Sequence, residues 1–235
     1  MSYLIYDLDG TLVKSSRQIT NNMIDMLQSL KDKGYKNIIV SGGTYDNIKR
    51  QLNNRFDLFD MIFSECGAVL HEDDKLIYKN KVTDLIDQTL FNKIKTMFLN
   101  MCNDLGFEYV GERVDVRNGL IYLAPVGMKA GDELRSDFIN YETQYQFRKS
   151  LISKLKKLDI NNTIEVVRGG KTGVSVYPKG IDKTQILKYI PEGTIYFFGD
   201  NCQEGGNDKC LYDHDRCMGY EVTDYMDTLN LLRHL

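Results

Sequence analysis

Short apolar runs that alternate with helical patterns dominate the first part of the chain. Runs rich in aromatic and β-branched residues, each too short for a helix, predict buried strands at residues 3–6, 38–40 and 61–63. Between the first two runs, Thr20 can cap a helix whose apolar residues recur at helical spacing until Gly34. Residues 46–52 predict a second helix. This strand–helix alternation is typical of a doubly wound parallel sheet.

The same pattern returns at the end of the chain. Residues 183–189 predict a helix and residues 194–198 a strand, and Thr223 is expected to cap a final helix that ends at Leu235. After the third strand, residues 69–70 and 76–78 predict a hairpin. The two ends of the chain are therefore expected to build one sheet.

The middle of the chain has a different pattern of apolar and polar residues. Long amphipathic helices are predicted at residues 85–101 and 141–158. The predicted strands, some alternating in polarity as in a half-exposed antiparallel sheet, are 107–110, 113–117, 120–126, 164–167 and 174–177. We expect an α/β core made of residues 1–81 and 181–235, with an α+β cap inserted at residues 82–180.

Composition narrows the class of protein. With 42% hydrophobic and 27% charged residues the chain has the material for a packed core, and a net charge of −3 predicts no nucleic-acid partner. Five cysteines without CxxC spacing indicate reduced thiols rather than a disulfide framework or a zinc site. The first strand follows Met1 directly, and no apolar run is long enough for a membrane span. The prediction is a cytoplasmic protein without membrane contact.

Acidic motifs follow the first and the last predicted strand. Residues 3–6 run into Asp7-Leu8-Asp9-Gly10-Thr11, and residues 194–198 are followed by Asp200 and Asp208. In an open parallel sheet, sites form beyond the carboxyl ends of the strands. So many carboxylates meeting at one edge require a cation, and oxygen ligands favour Mg²⁺. The sequence therefore predicts a Mg²⁺-dependent phosphoryl-transfer site.

Each acidic residue can be given a chemical role. Asp7 is placed as a carboxylate nucleophile that forms an aspartyl-phosphate, and Asp9 as the general acid and base. The predicted metal ligands are Asp7, Asp9, Asp200 and Asp208, although Asp208 has the alternative role of orienting a loop or a water. Lys183 can offset the charge of the transition state, unless it is an ordinary surface lysine.

A glycine-rich segment follows the second predicted strand. Ser41, Gly42, Gly43 and Thr44 offer hydroxyl and amide donors to phosphate oxygens at a helix N-terminus. The alternative for Ser41 and Thr44 is simple helix capping.

These motifs together resemble the four motifs of the haloacid dehalogenase (HAD) superfamily. More narrowly, the chain is similar from end to end to the eukaryotic-type phosphomannomutases. The segments that carry this resemblance are 116–120, 124–127, 148–155, 177–183, 195–200, 205–208 and 218–220. The resemblance implies interconversion of mannose 6-phosphate and mannose 1-phosphate, with Mg²⁺, a hexose 1,6-bisphosphate activator and a homodimer formed through the cap.

The resemblance also implies roles for individual side chains. Arg17 matches an arginine on the core side to within one residue, and Arg117 and Arg135 match cap arginines that hold the distal phosphate. His214 and Cys217 stand at positions that help to bind a second cation in the family. Without the resemblance, arginines of the cap would be expected on the solvated surface; for Arg113 and Arg148 this is the prediction.

The chain departs from the family at substrate positions. Met128 stands where the family has a third cap arginine, and Lys129 beside it is expected to supply part of the missing charge. A family serine and aspartate that contact substrate align with Gly173 and Ser175. We expect these changes to weaken discrimination among hexose phosphates.

The leading functional hypothesis is a phosphohexomutase, with mannose phosphates as the favoured substrates. The alternative is a Mg²⁺-dependent sugar-phosphate phosphatase, in which Asp9 activates water against the same intermediate. A third hypothesis, a catalytically idle sugar-phosphate sensor, is disfavoured by the intact Asp7 and Asp9 pair.

Overall fold

The computed structural model describes residues 1–235, which divide into two compact units. The core unit consists of Met1–Asn80 and Ile181–Leu235, and the cap unit is Lys81–Gly180. The cap unit begins at residue 81, one residue before the expected boundary, and ends at residue 180 as expected.

The chain forms eleven strands and seven α-helices. The strands are β1 (Ser2–Tyr6), β2 (Lys36–Val40), β3 (Met61–Ser64), β4 (Val69–Glu72), β5 (Lys75–Lys79), β6 (Val114–Val116), β7 (Ile121–Leu123), β8 (Ile164–Gly169), β9 (Gly173–Pro178), β10 (Thr194–Gly199) and β11 (Cys217–Glu221). The helices are α1 (Asn21–Asp32), α2 (Tyr45–Gln51), α3 (Gln88–Asn103), α4 (Asp132–Tyr145), α5 (Phe147–Leu158), α6 (Lys209–Tyr212) and α7 (Tyr225–Leu232).

The core unit is built on a seven-stranded sheet with the order β11-β10-β1-β2-β3-β4-β5. The strands from β11 to β3 are parallel, and β4 and β5 continue the sheet as an antiparallel hairpin. Asp73 and Asp74 make the hairpin turn with φ values of 48° and 62°, a conformation that aspartate tolerates better than most residues. The strands from the two ends of the chain therefore share one sheet, as predicted.

Both faces of the core sheet are buried, which explains why its strands are continuous apolar runs. Along β1, Leu4 and Tyr6 pack with α1, α2 and α7, whereas Tyr3 and Ile5 pack against α6 and a 3₁₀ helix at Lys183–Tyr189. The helix predicted at 183–189 is present with these bounds, and it is a 3₁₀ helix.

Helix ends in the core follow from single polar side chains. The Thr20 hydroxyl accepts from the backbone N–H of Met23, as predicted for the N-cap of α1. The predicted cap at Thr223 is wrong, because Asp224 accepts from the N–H groups of Met226 and Asp227 and begins α7 instead.

The cap unit is an antiparallel four-stranded sheet, β6-β7-β9-β8, covered by helices. Apolar side chains of β7, β8 and β9 pack with Ile94 and Phe98 of α3 and with Leu151 and Leu155 of α5. This packing gives the cap a hydrophobic core of its own.

Several predicted elements of the cap differ in the structure. The helix predicted at 141–158 is two helices, α4 and α5, because Gln146 adopts a left-handed conformation with φ 50°. The start of α4 at Asp132 was missed, and the helix predicted from residue 85 begins at Gln88, where the Asp87 side chain caps it. Residues 107–110 form no strand, since Val110 makes only isolated backbone bonds to Val126 and Lys129.

None of the helices combines the length and the apolar content needed to cross a membrane.

Candidate active site

The carboxyl ends of β1 and β10 bring the two acidic motifs together. The two strands are parallel neighbours in which Tyr6 lies opposite Phe198, and the Asp7 N–H donates to the Phe198 carbonyl at 2.9 Å. Asp7 and Asp200 therefore leave adjacent strands at the same edge of the sheet.

Three carboxylates converge at this edge. One oxygen each from Asp7, Asp200 and Asp208 lies within 4.8 Å of the others. Asp208 is fully buried and Asp7 is only 6% exposed. Gly10 has a φ of +91°, and a Cβ there would run into the Asp200 carboxylate, so a glycine is required for this approach.

Lys183 bridges two of the three carboxylates. Its Nζ lies 2.5 Å from Asp7 Oδ1 and 2.6 Å from Asp208 Oδ1, and the residue is 1% exposed. Burial lowers the pKa of the ammonium, but Asp208 and Asp7 outweigh burial and hold this pKa well above its usual value. The lysine is therefore charged, and the alternative of a surface lysine is excluded.

One ammonium does not balance the carboxylates of this cluster. Burial raises the pKa of Asp7 well above its usual value, and Lys183 opposes this while Asp208 and Asp200 reinforce it. Burial, together with the charge of Asp208, raises the pKa of Asp200 to about 6. Excess negative charge is thus concentrated where an additional cation would be bound.

Asp208 also orders the loop after β10. Its Oδ2 accepts from the Asn201 N–H at 3.1 Å, and its own N–H donates to the Asn201 carbonyl. The two roles weighed for Asp208, a place in the carboxylate cluster and the ordering of a loop, are both present in one side chain.

Asp9 lies outside the converging group. Its Oδ1 accepts from the Ser16 N–H at 2.6 Å and from Gln51 Nε2 at 2.8 Å, and the place of Asp9 as a fourth metal ligand stays a prediction. The sequence analysis did not identify Gln51 as a partner of Asp9. Its spacing of three residues from Ile48 places it on the same, buried side of α2, where a polar side chain needs a hydrogen-bond partner.

The segment after β2 presents polar groups at the same sheet edge. Ser41 is buried, and its hydroxyl accepts from the Gly43 N–H at 3.0 Å. Thr44 precedes α2 without forming a side-chain cap, so its hydroxyl is not explained by capping. Gly42 lies between them and is half-buried.

Two further residues of the first motif region differ in exposure. The Thr11 hydroxyl is buried without a hydrogen-bond partner, whereas Arg17 is exposed on the turn that begins at Lys14. The role of Arg17 in binding substrate phosphate stays a prediction.

The cap arginines cluster around a tyrosine that sequence reasoning missed. Arg117 and Arg135 both act on the pKa of Tyr122, which burial raises and the arginines oppose. Arg117 donates through Nε to Asp115 at 2.7 Å, and the Arg135 Nε is buried without a partner. Lys129 is exposed and packs its Cγ near Gly111 instead.

The prediction that Arg113 and Arg148 lie on the solvated surface is wrong. Each is 7% exposed. Arg148 donates through Nε to the buried Glu142 at 3.1 Å and through its terminal group to the Gly170 carbonyl, whereas Arg113 stacks over Tyr109. Single buried acids and aromatic rings, absent from any sequence motif, hold these arginines inside.

The residues considered for a second cation stand apart from the cluster. His214 Nδ1 accepts from the Arg216 N–H, and Cys217 is the first residue of β11. Neither belongs to the group of converging ligands.

Comparison of the sequence with known proteins gives a consistent result. The family model described as eukaryotic phosphomannomutase matches residues 23–235. A phosphomannomutase of Babesia bovis is 35% identical over 99% of this chain and 96% of its own length. Phosphomannomutase 2 of Dictyostelium discoideum is 31% identical over 97% of this chain and 94% of its own length.

Solved structures support the same architecture. An IMP-bound, N-terminally truncated IMP-nucleotidase of Plasmodium falciparum superposes with a TM-score of 0.68 at 17% identity, over 100% of this chain and 68% of that chain. A HAD subclass IIB sugar phosphatase superposes with a TM-score of 0.61 at 19% identity, over 100% of this chain and 98% of that chain. At these identities the likeness establishes the fold, a HAD-type α/β core with a cap, which confirms the predicted fold class.

Proposed function

The chain belongs to the eukaryotic phosphomannomutase family, and we propose that it interconverts hexose 6-phosphate and hexose 1-phosphate, with mannose favoured. The observation that supports this most strongly is the buried cluster of Asp7, Asp200 and Asp208 around Lys183. Such a cluster is suited to covalent phosphoryl transfer.

In the proposed reaction, Asp7 accepts the phosphoryl group of a hexose 1,6-bisphosphate, the activator. Lys183 holds Asp7 Oδ1 and so fixes the rotation of the carboxylate, which leaves the other oxygen to attack phosphorus. The bond from phosphorus to the sugar oxygen breaks as the aspartyl-phosphate bond forms. A hexose monophosphate then accepts the phosphoryl group from Asp7.

Asp9 serves both half-reactions. As an acid it gives a proton to the departing sugar oxygen, and as a carboxylate it takes the proton from the sugar hydroxyl that attacks the aspartyl-phosphate. Gln51 and the Ser16 N–H bind one carboxylate oxygen of Asp9, which fixes the orientation of the group.

The donor set fits Mg²⁺. Three carboxylate oxygens lie close together without histidine or thiolate among them, which is the ligand chemistry of a hard divalent cation. Asp7, Asp200 and Asp208 would hold the ion, and when bound it would neutralise the excess negative charge and admit a dianionic phosphate.

The cap unit supplies a second requirement of the proposed mutase, a place for the other phosphate. Arg117 contacts the Tyr122 ring, Arg135 adds a second positive charge that acts on this tyrosine, and a guanidinium can bind phosphate through two parallel hydrogen bonds. A hexose bisphosphate carries two phosphates, and this cationic cluster offers the cap unit a guanidinium site for one of them. The proposal also includes a homodimer formed through the cap.

The main alternative is a sugar-phosphate phosphatase, because water competes with sugar for the aspartyl-phosphate. Met128 carries no charge, and Gly173 offers no side chain to the substrate. Fewer fixed contacts would hold the sugar less firmly, so we expect a relaxed sugar preference and a measurable hydrolytic leak.

Isotopically labelled mannose 1-phosphate, with and without a hexose bisphosphate, separates the possibilities in one experiment. Labelled mannose 6-phosphate that depends on the bisphosphate supports the mutase. Labelled free mannose as the main product supports the phosphatase, and unchanged substrate supports neither. The Asp7→Asn variant, assayed in parallel, controls for contaminating enzymes.

A further inference from the structure

The cap sheet has one face that the hydrophobic core of the unit does not use. Ile121, Leu123, Val174 and Val176 point into that core. Residues of the opposite parity lie on the other face, because side chains alternate along a strand. The register places Asp115 opposite Tyr122 and Tyr122 opposite Ser175, so these three residues share this second face.

Tyr122 is the centre of this second face. Its hydroxyl donates to the Gly169 carbonyl at 2.9 Å, which fixes the ring over the end of β8. The Arg117 guanidinium carbon lies 4.9 Å from the centre of the ring, within the range of a cation–π contact. Asp115 holds the same guanidinium through Nε at 2.7 Å. A carboxylate and an aromatic ring are therefore among the neighbours that position Arg117.

The tyrosine occupies space that is available because side chains are missing below it. A Cβ at Gly173 would collide with the Tyr122 hydroxyl and with Cζ, the ring carbon that bears it. A Cβ at Gly169 would first meet the Ser175 hydroxyl at 2.3 Å and then the ring carbon Cε2 of Tyr122 at 2.8 Å. Neither glycine has a positive φ, so the backbone does not demand glycine at these positions. The Tyr122 ring alone accounts for the glycine at position 173, and the ring and Ser175 together account for the glycine at position 169.

We propose that Tyr122 is a positioning residue whose ring holds the Arg117 guanidinium ready for a substrate phosphate, in a slot that Gly173 leaves open. The inference rests on the proposed function for the identity of the ligand, a hexose phosphate. In this chain, an aromatic support under Arg117 takes the place of side-chain contacts from position 173.

The physical reason is pre-organisation. A free arginine side chain loses rotamer entropy when it binds phosphate, whereas a guanidinium held over a ring and against a carboxylate has already lost it. The benefit appears in the affinity for substrate and acts only through Arg117. Removing the ring should therefore raise KM, with a smaller effect on kcat.

The test is a double-mutant cycle on the full-length protein, with hexose 6-phosphate binding measured by calorimetry and KM and kcat measured in the mutase assay. Tyr122→Leu should weaken binding by about three- to tenfold, the range expected for a cation–π contact. Tyr122→Phe keeps the ring but loses its bond to the Gly169 carbonyl, so it should weaken binding less than Tyr122→Leu does. In an Arg117→Ala background, Tyr122→Leu should have no further effect, because the two residues act as one unit.

A second double-mutant cycle tests whether Gly173 leaves the space that the Tyr122 ring occupies. Gly173→Ala should weaken binding in the presence of Tyr122, because the added methyl group displaces the ring. Leucine lacks the ring carbons and the hydroxyl that the methyl group meets, so Gly173→Ala should cost little in the Tyr122→Leu background. Tyr145→Leu is the matched control: Tyr145 is an exposed tyrosine of the same unit and should leave binding unchanged.

Two results would overturn the inference. One is an equal loss of binding for Tyr122→Leu with and without Arg117, which would mean that the tyrosine acts only on the stability of the cap. The other is wild-type protein that binds no hexose phosphate. Failure of the proposed mutase is distinguishable, because calorimetric binding and its dependence on Tyr122 need no turnover.

Discussion

The charged cluster of the core and the charged cluster of the cap differ in how firmly their groups are held. In the core, Lys183 and Asp208 have completely buried side chains and are bonded to each other at 2.6 Å. In the cap, Arg117 pairs with Asp115, whose side chain is 32% exposed, and Arg135 reaches only the Met128 carbonyl at 3.5 Å. The core groups are fixed independently of any substrate, whereas the cap groups face a more solvated environment.

This difference suits the core cluster to the phosphoryl-transfer chemistry and the cap cluster to the recognition of substrate. Buried charges interact strongly because little water screens them, so each group in the core is essential to the others. Arginines whose own partners are solvated or distant are held less firmly, and this leaves them able to bind a phosphate in more than one orientation, which a mutase requires. Substitutions in the core should therefore abolish every reaction of the protein, and substitutions in the cap should change the balance between reactions.

The largest effect is expected for Asp7→Asn. The amide cannot form the aspartyl-phosphate, so isomerisation and hydrolysis should both fall by about a thousandfold or more. The measurement is turnover of mannose 1-phosphate and of p-nitrophenyl phosphate with Mg²⁺, together with trapping of phosphorylated wild-type protein. Asp46→Asn, an exposed aspartate on α2, is the matched control. Substantial activity in the Asp7 variant would exclude covalent catalysis at this position.

Lys183→Met should have the next largest effect, on stability as well as on activity. The variant leaves Asp7 and Asp208 buried without their ammonium, and breaking a buried ion pair in this way costs about 3–5 kcal/mol. Urea denaturation of wild type and variant measures the difference. Lys209→Met provides the comparison, because the Lys209–Asp213 pair is solvent-exposed and its loss should change stability little. Equal losses in both variants would contradict the distinction between buried and exposed charge.

Much of the core could be predicted from the sequence because strand ends decide its geometry. Once residues 3–6 and 194–198 are recognised as adjacent parallel strands, Asp7 and Asp200 must lie at one edge. Carboxylates that meet at one edge also explain two neighbouring residues. Gly10 leaves room for the Asp200 carboxylate, and Lys183 offsets the negative charge of Asp7 and Asp208. Gln51 was missed because its function depends on a contact between α2 and the first motif, which periodicity does not encode.

The cap was less predictable for a physical reason. Its strands β6 and β7 have only three residues each, too few for a clear alternation, and the left-handed break at Gln146 interrupts a pattern that reads as one helix. The burial of Arg148 depends on Glu142, and the position of Arg117 depends on Tyr122 and Asp115. The partners are only two to six residues apart, but each pair depends on how the chain turns between them, at the break between α4 and α5 or between β6 and β7, and periodicity does not reveal that turn.

A third prediction concerns the cap itself. Arg135→Ala should reduce transfer between hexose phosphates by about 2–4 kcal/mol, as expected for the loss of a charged hydrogen bond to a bound phosphate. The ratio of isomerisation to hydrolysis of p-nitrophenyl phosphate should fall with it, since the small ester has no second phosphate. Lys129→Ala, which removes an exposed charge next to Met128, should have a smaller effect. Equal losses in both reactions would assign Arg135 a structural role.

The smallest expected effect is a pH dependence that belongs to the core alone, because arginines do not titrate near neutral pH. Burial raises the pKa of Asp200 from 3.8 to about 6, so between these values the folded protein binds more protons than the unfolded chain. Without Mg²⁺, the free energy of unfolding should therefore fall by about 1–3 kcal/mol as the pH rises from 4 through 6, and Asp200→Asn should flatten this slope.

A cation competes with the proton for the same oxygens, so Mg²⁺ should stabilise the protein more at pH 7 than at pH 5. Urea denaturation at pH 4, 5, 6 and 7, in chelator and in Mg²⁺, measures all of these differences. Stabilisation by Mg²⁺ that is independent of pH, or that survives in Asp200→Asn, would place the cation away from the three carboxylates.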